Sequence, residues 1–124
     1  MEQPKRQKIV YVLTKGPDNT ETALLPFIHA VGALATDIDA AIVLMANAVL
    51  LAQKDVARHI RFEGKPPLDE LMKNFFELGG KLYLCSPCAK ARGLTPETLV
   101  EQAEMVAAAV YNELLLEADA TVSY

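Results

Sequence analysis

Cys85 and Cys88 are the only thiols in a chain of 124 residues, and two residues separate them. They lie in "GGKLYLCSPCAKARGL", residues 79–94, directly behind the apolar run Leu82-Tyr83-Leu84. A Cys-x-x-Cys pair admits four kinds of chemistry. It can supply two of the four ligands of a structural zinc. It can cycle between dithiol and disulfide. One cysteine can take up a sulfane sulfur as a persulfide and pass it on. Or the pair can be an inert piece of core, since free cysteine is among the most buried residue types.

The surrounding residues weigh differently on each. Zinc would need two more ligands, and the only histidines, His29 and His59, lie far off with no ligand spacing between them. A site of four cysteines shared between subunits has no more to motivate it. A thioredoxin-type disulfide suits Cys-x-x-Cys at a helix start, where the helix end lowers a thiol pKa. In thioredoxin, however, the motif follows an early strand, and here two strand–helix units precede it. Sulfur transfer needs one accessible thiol of low pKa. A strand end, a helix opening at Ser86 or Pro87, and Lys90 and Arg92 nearby as anion-stabilising cations all fit that need. Cys88, about one turn into the helix, then serves as a resolving thiol or second acceptor.

The elements that must position the pair follow from the pattern. "KIVYVL", Lys8–Leu13, is short, β-branched and apolar, and predicts a strand buried on both faces. Gly16-Pro17-Asp18 is turn chemistry. Asn19 or Thr20 caps a helix reaching about Ala35, with Pro26 deep enough to predict a late start or a kink. Asp39–Met45 is a second buried strand, and Ala48–Gln53 a short helical stretch. The charged segment Lys54–Pro67 reads as an exposed loop. Leu68–Leu78 is an amphipathic helix with Leu68, Leu71, Met72, Phe75 and Phe76 on one face, stopped by Gly79-Gly80. Lys81–Leu84 is the third strand, with the cysteines at its C-terminal end. Thr95-Pro96-Glu97 is a strong helix start. The helical pattern then runs to about Ala118, with a short strand near Glu104–Ala107 interrupting it. Ala120–Tyr124 is β-prone enough for a last strand.

Strands alternating with helices imply βαβ units and a mainly parallel sheet. Chemistry in such sheets collects at the C-terminal strand ends. Both Cys85 and the Thr14–Thr20 loop lie there.

Bulk properties narrow the function further. Hydrophobic residues make up 52% of the chain, enough for one domain with a real core: a flexible tail over 1–7 and a single domain over 8–124. A net charge of -4 and a pI near 5.1 argue against nucleic acid as a partner. The uncharged run Ala40–Gln53 is 14 residues, and no uncharged run exceeds 15, too short to span a bilayer. Met1–Lys8 is not backed by an apolar stretch of signal-peptide length. The expected location is therefore cytoplasmic, with no membrane partner. Two thiols beside a sufficient core do not make a secreted disulfide scaffold. In a reducing compartment such a pair points to catalysis, redox change or metal binding.

The segment K-L-Y-L-C-S-P-C-A-K-A-R-G-L resembles the active-cysteine region of the DsrE/TusD-like sulfur-transfer family, within the DsrE/DsrF-like superfamily. The shared elements are the apolar strand Leu82–Leu84, Cys85, the Ala-rich turn Ala89–Ala91, Arg92-Gly93 and Leu94. "VYVLTKGPDNTETA" near the start and Leu114–Tyr124 at the end are compatible with it. The resemblance implies a three-layer α/β sandwich with a five-stranded, mostly parallel sheet flanked by helices. It implies assembly as a homotrimer or homohexamer. It places the sulfur-accepting role on Cys85, as persulfide or thiosulfonate. It also implies a sulfur donor and a cysteine-bearing acceptor such as a TusA-like carrier, with no cofactor. The role of Cys88 does not carry over, because many members have a small non-thiol residue there. Two rival functions stand beside this one. The first is a thiol–disulfide redox protein using Cys85 and Cys88. The second is a non-catalytic assembly or ligand-binding subunit.

The remaining polar features have plain readings. Thr14–Thr20 is like a phosphate loop, but any turn and cap between strand and helix looks similar. His29 is a packed or surface histidine. His59 with Lys54, Arg58 and Arg61 is a solvated charged loop. Tyr83, Met45, Met72 and Met105 are core.

Overall fold

The β-branched run expected to be a buried strand is one. Residues 5–124 are described by a computed structural model, and in it β1 (Lys8–Leu13) is flanked on both sides by parallel strands. The order along the chain is β1, α1 (Thr20–Ala35), β2 (Asp39–Leu44), α2 (Leu68–Glu77), β3 (Lys81–Cys85), α3 (Ser86–Ala91), β4 (Ala103–Val106), α4 (Ala108–Glu117) and β5 (Ala120–Ser123). The sheet order is β4-β3-β2-β1-β5, and every pairing is parallel.

That order dictates the layers. Crossovers between parallel strands are right-handed. The chain steps from β1 to β4 in one direction, so the helices of those steps share one face. The last step runs back across the sheet from β4 to β5, which puts α4 alone on the opposite face. Alternation along the strands divides the side chains accordingly. Tyr11, Leu13, Ile42, Leu44, Leu82 and Leu84 join α1 and α2 in the larger core. Val10, Val12, Ala41 and Val43 meet Leu114 of α4 in a smaller one. In the larger core Phe27 of α1 and Phe75 of α2 meet edge to face, with ring centroids 5.9 Å apart. After α2, Gly79 takes φ 93 and turns the chain into β3. Gly80 must lack a Cβ, which would lie 2.3 Å from the Phe75 ring.

Four expectations need amendment. α1 does not start late: Asn19 caps Thr22 N–H, and the helix runs from Thr20 through the buried Pro26 to Ala35. The strong start at Thr95 opens only a single 3-10 turn, Pro96–Thr98. Tertiary pairing overrides it, because Lys54 N–H bonds Thr98 O at 3.0 Å and Val100 N–H bonds Ala52 O at 2.9 Å. Leu99 is thereby drawn into a bridge with Gln53. The stretch expected to be helical near Ala48 is a 3-10 turn from Ala46 to Ala52. The Lys54–Pro67 segment is exposed for most of its length but is anchored by Ile60, which is buried and accepts from Leu68 N–H. The expected tail over 1–7 falls partly on residues 1–4, outside the described residues. Within its described part, Arg6 pairs with Asp39 at 3.0 Å, and Gln7 O accepts from Asp39 N–H.

Phe75→Ala should cost about 3–5 kcal/mol of stability, read as a shift in the chemical-denaturation midpoint. A cost under about 1 kcal/mol would contradict its place at the junction of α1, α2 and Gly80.

Candidate functional site

Pleat alternation aims Tyr83 and Cys85 at the α4 face, since Leu82 and Leu84 point into the larger core. The register Leu44↔Leu84 places Met45, just past β2, beside Cys85, and Val106 of β4 is directly opposite on the other side. The chain then turns at once into α3, with Pro87 in its first turn. Three residues further on, Cys88 packs against the larger core. The two free thiols therefore face different surroundings, and both are half-buried.

Cys85 borders a cavity of about 110 Å³ under the start of α4. Its walls are almost wholly apolar. Val43 and Met45 come from β2 and its end, Val106 to Ala108 from the β4–α4 turn, and Tyr111 from α4. Cys88 instead meets polar groups. The backbone N–H of Ala46 and the sulfur of Cys85 hydrogen-bond to it, and the Arg92 guanidinium lies close enough to act on both thiols.

These contacts push the thiols apart. Burial, together with the hydrogen bond to Cys88 and its charge, raises the Cys85 pKa, outweighing the help of the Cys88 N–H and of Arg92. Burial also works against a charge on Cys88. There it is outweighed by the hydrogen bonds from Cys85 and Ala46 and by the Arg92 charge, so the Cys88 pKa is lowered. Of the two thiols Cys88 is therefore the first to ionise, with the Cys85 S–H placed to donate to its thiolate. The sequence expectation had the strand–helix junction polarise Cys85 itself. The structure instead favours ionisation one turn later, at Cys88, because that is where the donors converge.

Arg92 is held in place by a chain of contacts. Its Nη2 and Nε donate to Asn47 Oδ1 at 3.0 and 3.3 Å, and its Nη1 to Cys88 O at 3.1 Å. Asn47 also bonds Asp18, whose carboxylate is kept low mainly by the Gly16 N–H at 3.0 Å. Gly16 packs so closely that a Cβ there would fall 2.2 Å from Asn47 O. Ala46, the residue between Met45 and Asn47, adopts φ 51. That left-handed conformation costs a non-glycine residue about 1–2 kcal/mol, and here it directs an N–H at Cys88.

The structure therefore brings Cys85, Cys88 and Arg92 together. Lys90 is exposed on α3 and, among the described residues, is in no ion pair. The sequence reading missed Ala46, Asn47 and Asp18. Asn47 carried a usable signal, being a lone amide just past the strand that adjoins β3. The conformation of Ala46 carried none. Elsewhere, His29 pairs with the Tyr124 hydroxyl, and Arg58 and Arg61 bond carbonyls of their own loop. In the Thr14–Thr20 loop, Asp18 and Asn19 serve the turn and the cap. Among the described residues no group of three or more His, Cys, Asp or Glu side chains could hold a metal ion. No helix among them is long and apolar enough to cross a membrane.

An all-parallel five-stranded domain with α4 alone on one face and a thiol at the end of β3 defines a class of small α/β proteins. The chain belongs to the DsrE/DsrF-like family, whose model matches residues 7–124, and the resemblance carried by the cysteine segment is thus borne out. It is 32% identical over 117 residues to the uncharacterized protein MJ0989 of Methanocaldococcus jannaschii, covering 94% of this chain and 99% of that one. It is 30% identical over 97 residues to the uncharacterized protein MK0008 of Methanopyrus kandleri, covering 78% and 77%. The fold is shared with the ychN protein of E. coli, at a TM-score of 0.80 and 19% identity over 95% of this chain and 99% of that one. It is shared also with MTH1491 of Methanobacterium thermoautotrophicum, at 0.74 and 13% over 95% and 99%.

At pH 7 Cys88 should alkylate faster than an ordinary cysteine and Cys85 more slowly, because a lowered pKa leaves more thiolate at that pH and a raised one less. Arg92→Gln should slow Cys88 alkylation several-fold, up to about tenfold for each unit its pKa rises. Iodoacetamide rates resolved by peptide mass spectrometry check this. An unchanged Cys88 rate would remove Arg92 from the site.

Proposed function

We propose that the protein is a sulfur carrier in which Cys85 accepts a sulfane sulfur as a persulfide and gives it to an acceptor cysteine, with Cys88 holding the negative charge that starts the reaction. The observation that carries this reading is the division between the thiols. Cys85 opens on a cavity that a donor can enter, while its S–H is placed to donate to Cys88, the thiol of lowered pKa. Membership of a family that includes sulfur-relay proteins supports it. In the loading step the Cys85 proton passes to Cys88 as the Cys85 sulfur attacks the outer sulfur of a persulfide, R–S–SH. The S–S bond of the donor breaks and RS⁻ leaves. The products are Cys85–S–SH and a neutral Cys88 thiol, so no oxidant is consumed. Arg92 is a positioning residue that keeps the initial charge on Cys88. Partners in this reading are a donor, a cysteine-bearing acceptor protein, and further copies of the chain. Leu116, 85% exposed, and Val110, 41% exposed, give α4 apolar surface for the last of these.

A specific observation favours a second reading. Two thiols in hydrogen-bond contact are also suited to thiol–disulfide cycling. Intact-mass spectrometry after exposure to a persulfide donor separates the two. The carrier reading expects a DTT-reversible gain of one sulfur that is lost in Cys85→Ser. In Cys88→Ser it should persist at a rate reduced about tenfold or more. Loss of two hydrogens with no added sulfur, in a chain that keeps both cysteines, would replace it with the redox reading.

A further inference from the structure

We infer that the cavity beside Cys85 binds the organic group of a small, neutral organosulfur compound, and so sets which donors the carrier uses. This rests on the sulfur-carrier reading for its biological meaning, but the binding preference is a property of the cavity itself. At about 110 Å³ the space is well below the roughly 300 Å³ at which sites for drug-sized molecules begin. It admits a short alkyl or thioether chain and not a tripeptide thiol. Its wall offers no charged side chain: Val43, Met45, Pro87 and Val106 face it, with Tyr111 supplying the one hydroxyl-bearing side chain. A carboxylate or ammonium on the donor would lose its hydration there with no partner in exchange. The polar partners of the site, Cys88 and the Arg92 guanidinium, belong to the Ala46–Asn47 side instead. A donor seated in the cavity therefore places its R group against Met45 and Val106 and its sulfur at Cys85. The proton and charge are handled on the other side.

Two methanethiosulfonates test this directly. Each transfers an RS group to a thiolate with loss of methanesulfinate, one carrying a neutral propyl group and the other an anionic sulfonatoethyl group. Rates at Cys85 are read by peptide mass spectrometry on the full folded chain and on the same chain in urea. The propyl-over-sulfonatoethyl ratio should be about tenfold or more higher in the folded protein, the effect of burying roughly two methylene groups. Ala108→Phe, at an exposed position on the cavity rim, should bring the ratio back toward the urea value. The reagent comparison on the unaltered chain stands whether or not that variant folds. A folded ratio equal to the urea ratio, or one favouring the anion, overturns the inference. Sulfur loading from propyl persulfide and from glutathione persulfide separates this claim from the one beneath it. Thiosulfonate selectivity with no loading from either persulfide keeps the cavity preference and removes the carrier reading. Equal loading from both keeps the carrier and removes the preference.

Discussion

The handedness of the β–α–β crossover is the constraint from which the site follows. Because the chain steps from β1 through β4 in one direction, α1 and α2 share a face and bury the larger core. Because it then returns across the whole sheet to β5, one ten-residue helix is left for the opposite face. A single helix cannot cover five strands. The gap it leaves at the C-terminal end of β2, β3 and β4 is the cavity, and Cys85 sits there because the pleat turns it that way. Had α4 joined α1 and α2, the face that carries Cys85 would be bare.

Electrostatics then divides the labour between two chemically identical side chains. Cys85 is surrounded by apolar groups and has only one strong partner, the neighbouring sulfur. Cys88 gathers a backbone N–H, an S–H and a guanidinium. The arrangement relies on Ala46, held at φ 51, and on Asn47, whose amide links Asp18 to Arg92. Gly16 allows the first loop to approach Asn47 closely enough to complete that link. Small residues and one strained residue, rather than further ionisable groups, give the site its polarity.

How much of this was legible in the sequence varied with the range of the interactions involved. β1 to β3, α2 and the last strand were readable because their signals are local: β-branched runs, an apolar stripe, a Gly-Gly stop. The cysteine segment itself, with Arg92-Gly93 behind it, was enough to bring out the family. The start signal at Thr95 misled because Leu99 and Val100 are claimed by Ala52 and Gln53, far away in the chain. The identity of the anionic thiol was illegible for the same reason. Spacing pointed to Cys85 at the helix start, whereas Cys88 is favoured by the Cys85 S–H and by a second donor on Ala46, which comes from another strand end and an unusual backbone conformation. The cavity was equally hidden, since its walls are mostly ordinary valines and alanines with one methionine, gathered from three strand ends and two helices.

The chemistry proposed for the site depends on the two thiols titrating apart, with Cys88 the first to lose its proton. Thiolate absorbance near 240 nm, followed across pH in the reduced protein, tests it most directly. The prediction is two separated steps, one below and one above the ordinary cysteine value of about 8.5. Cys85→Ala should move the remaining step upward from the first of these, because Cys88 loses its S–H donor. A single step of two equivalent thiols near the ordinary value, unmoved by that substitution, would contradict it.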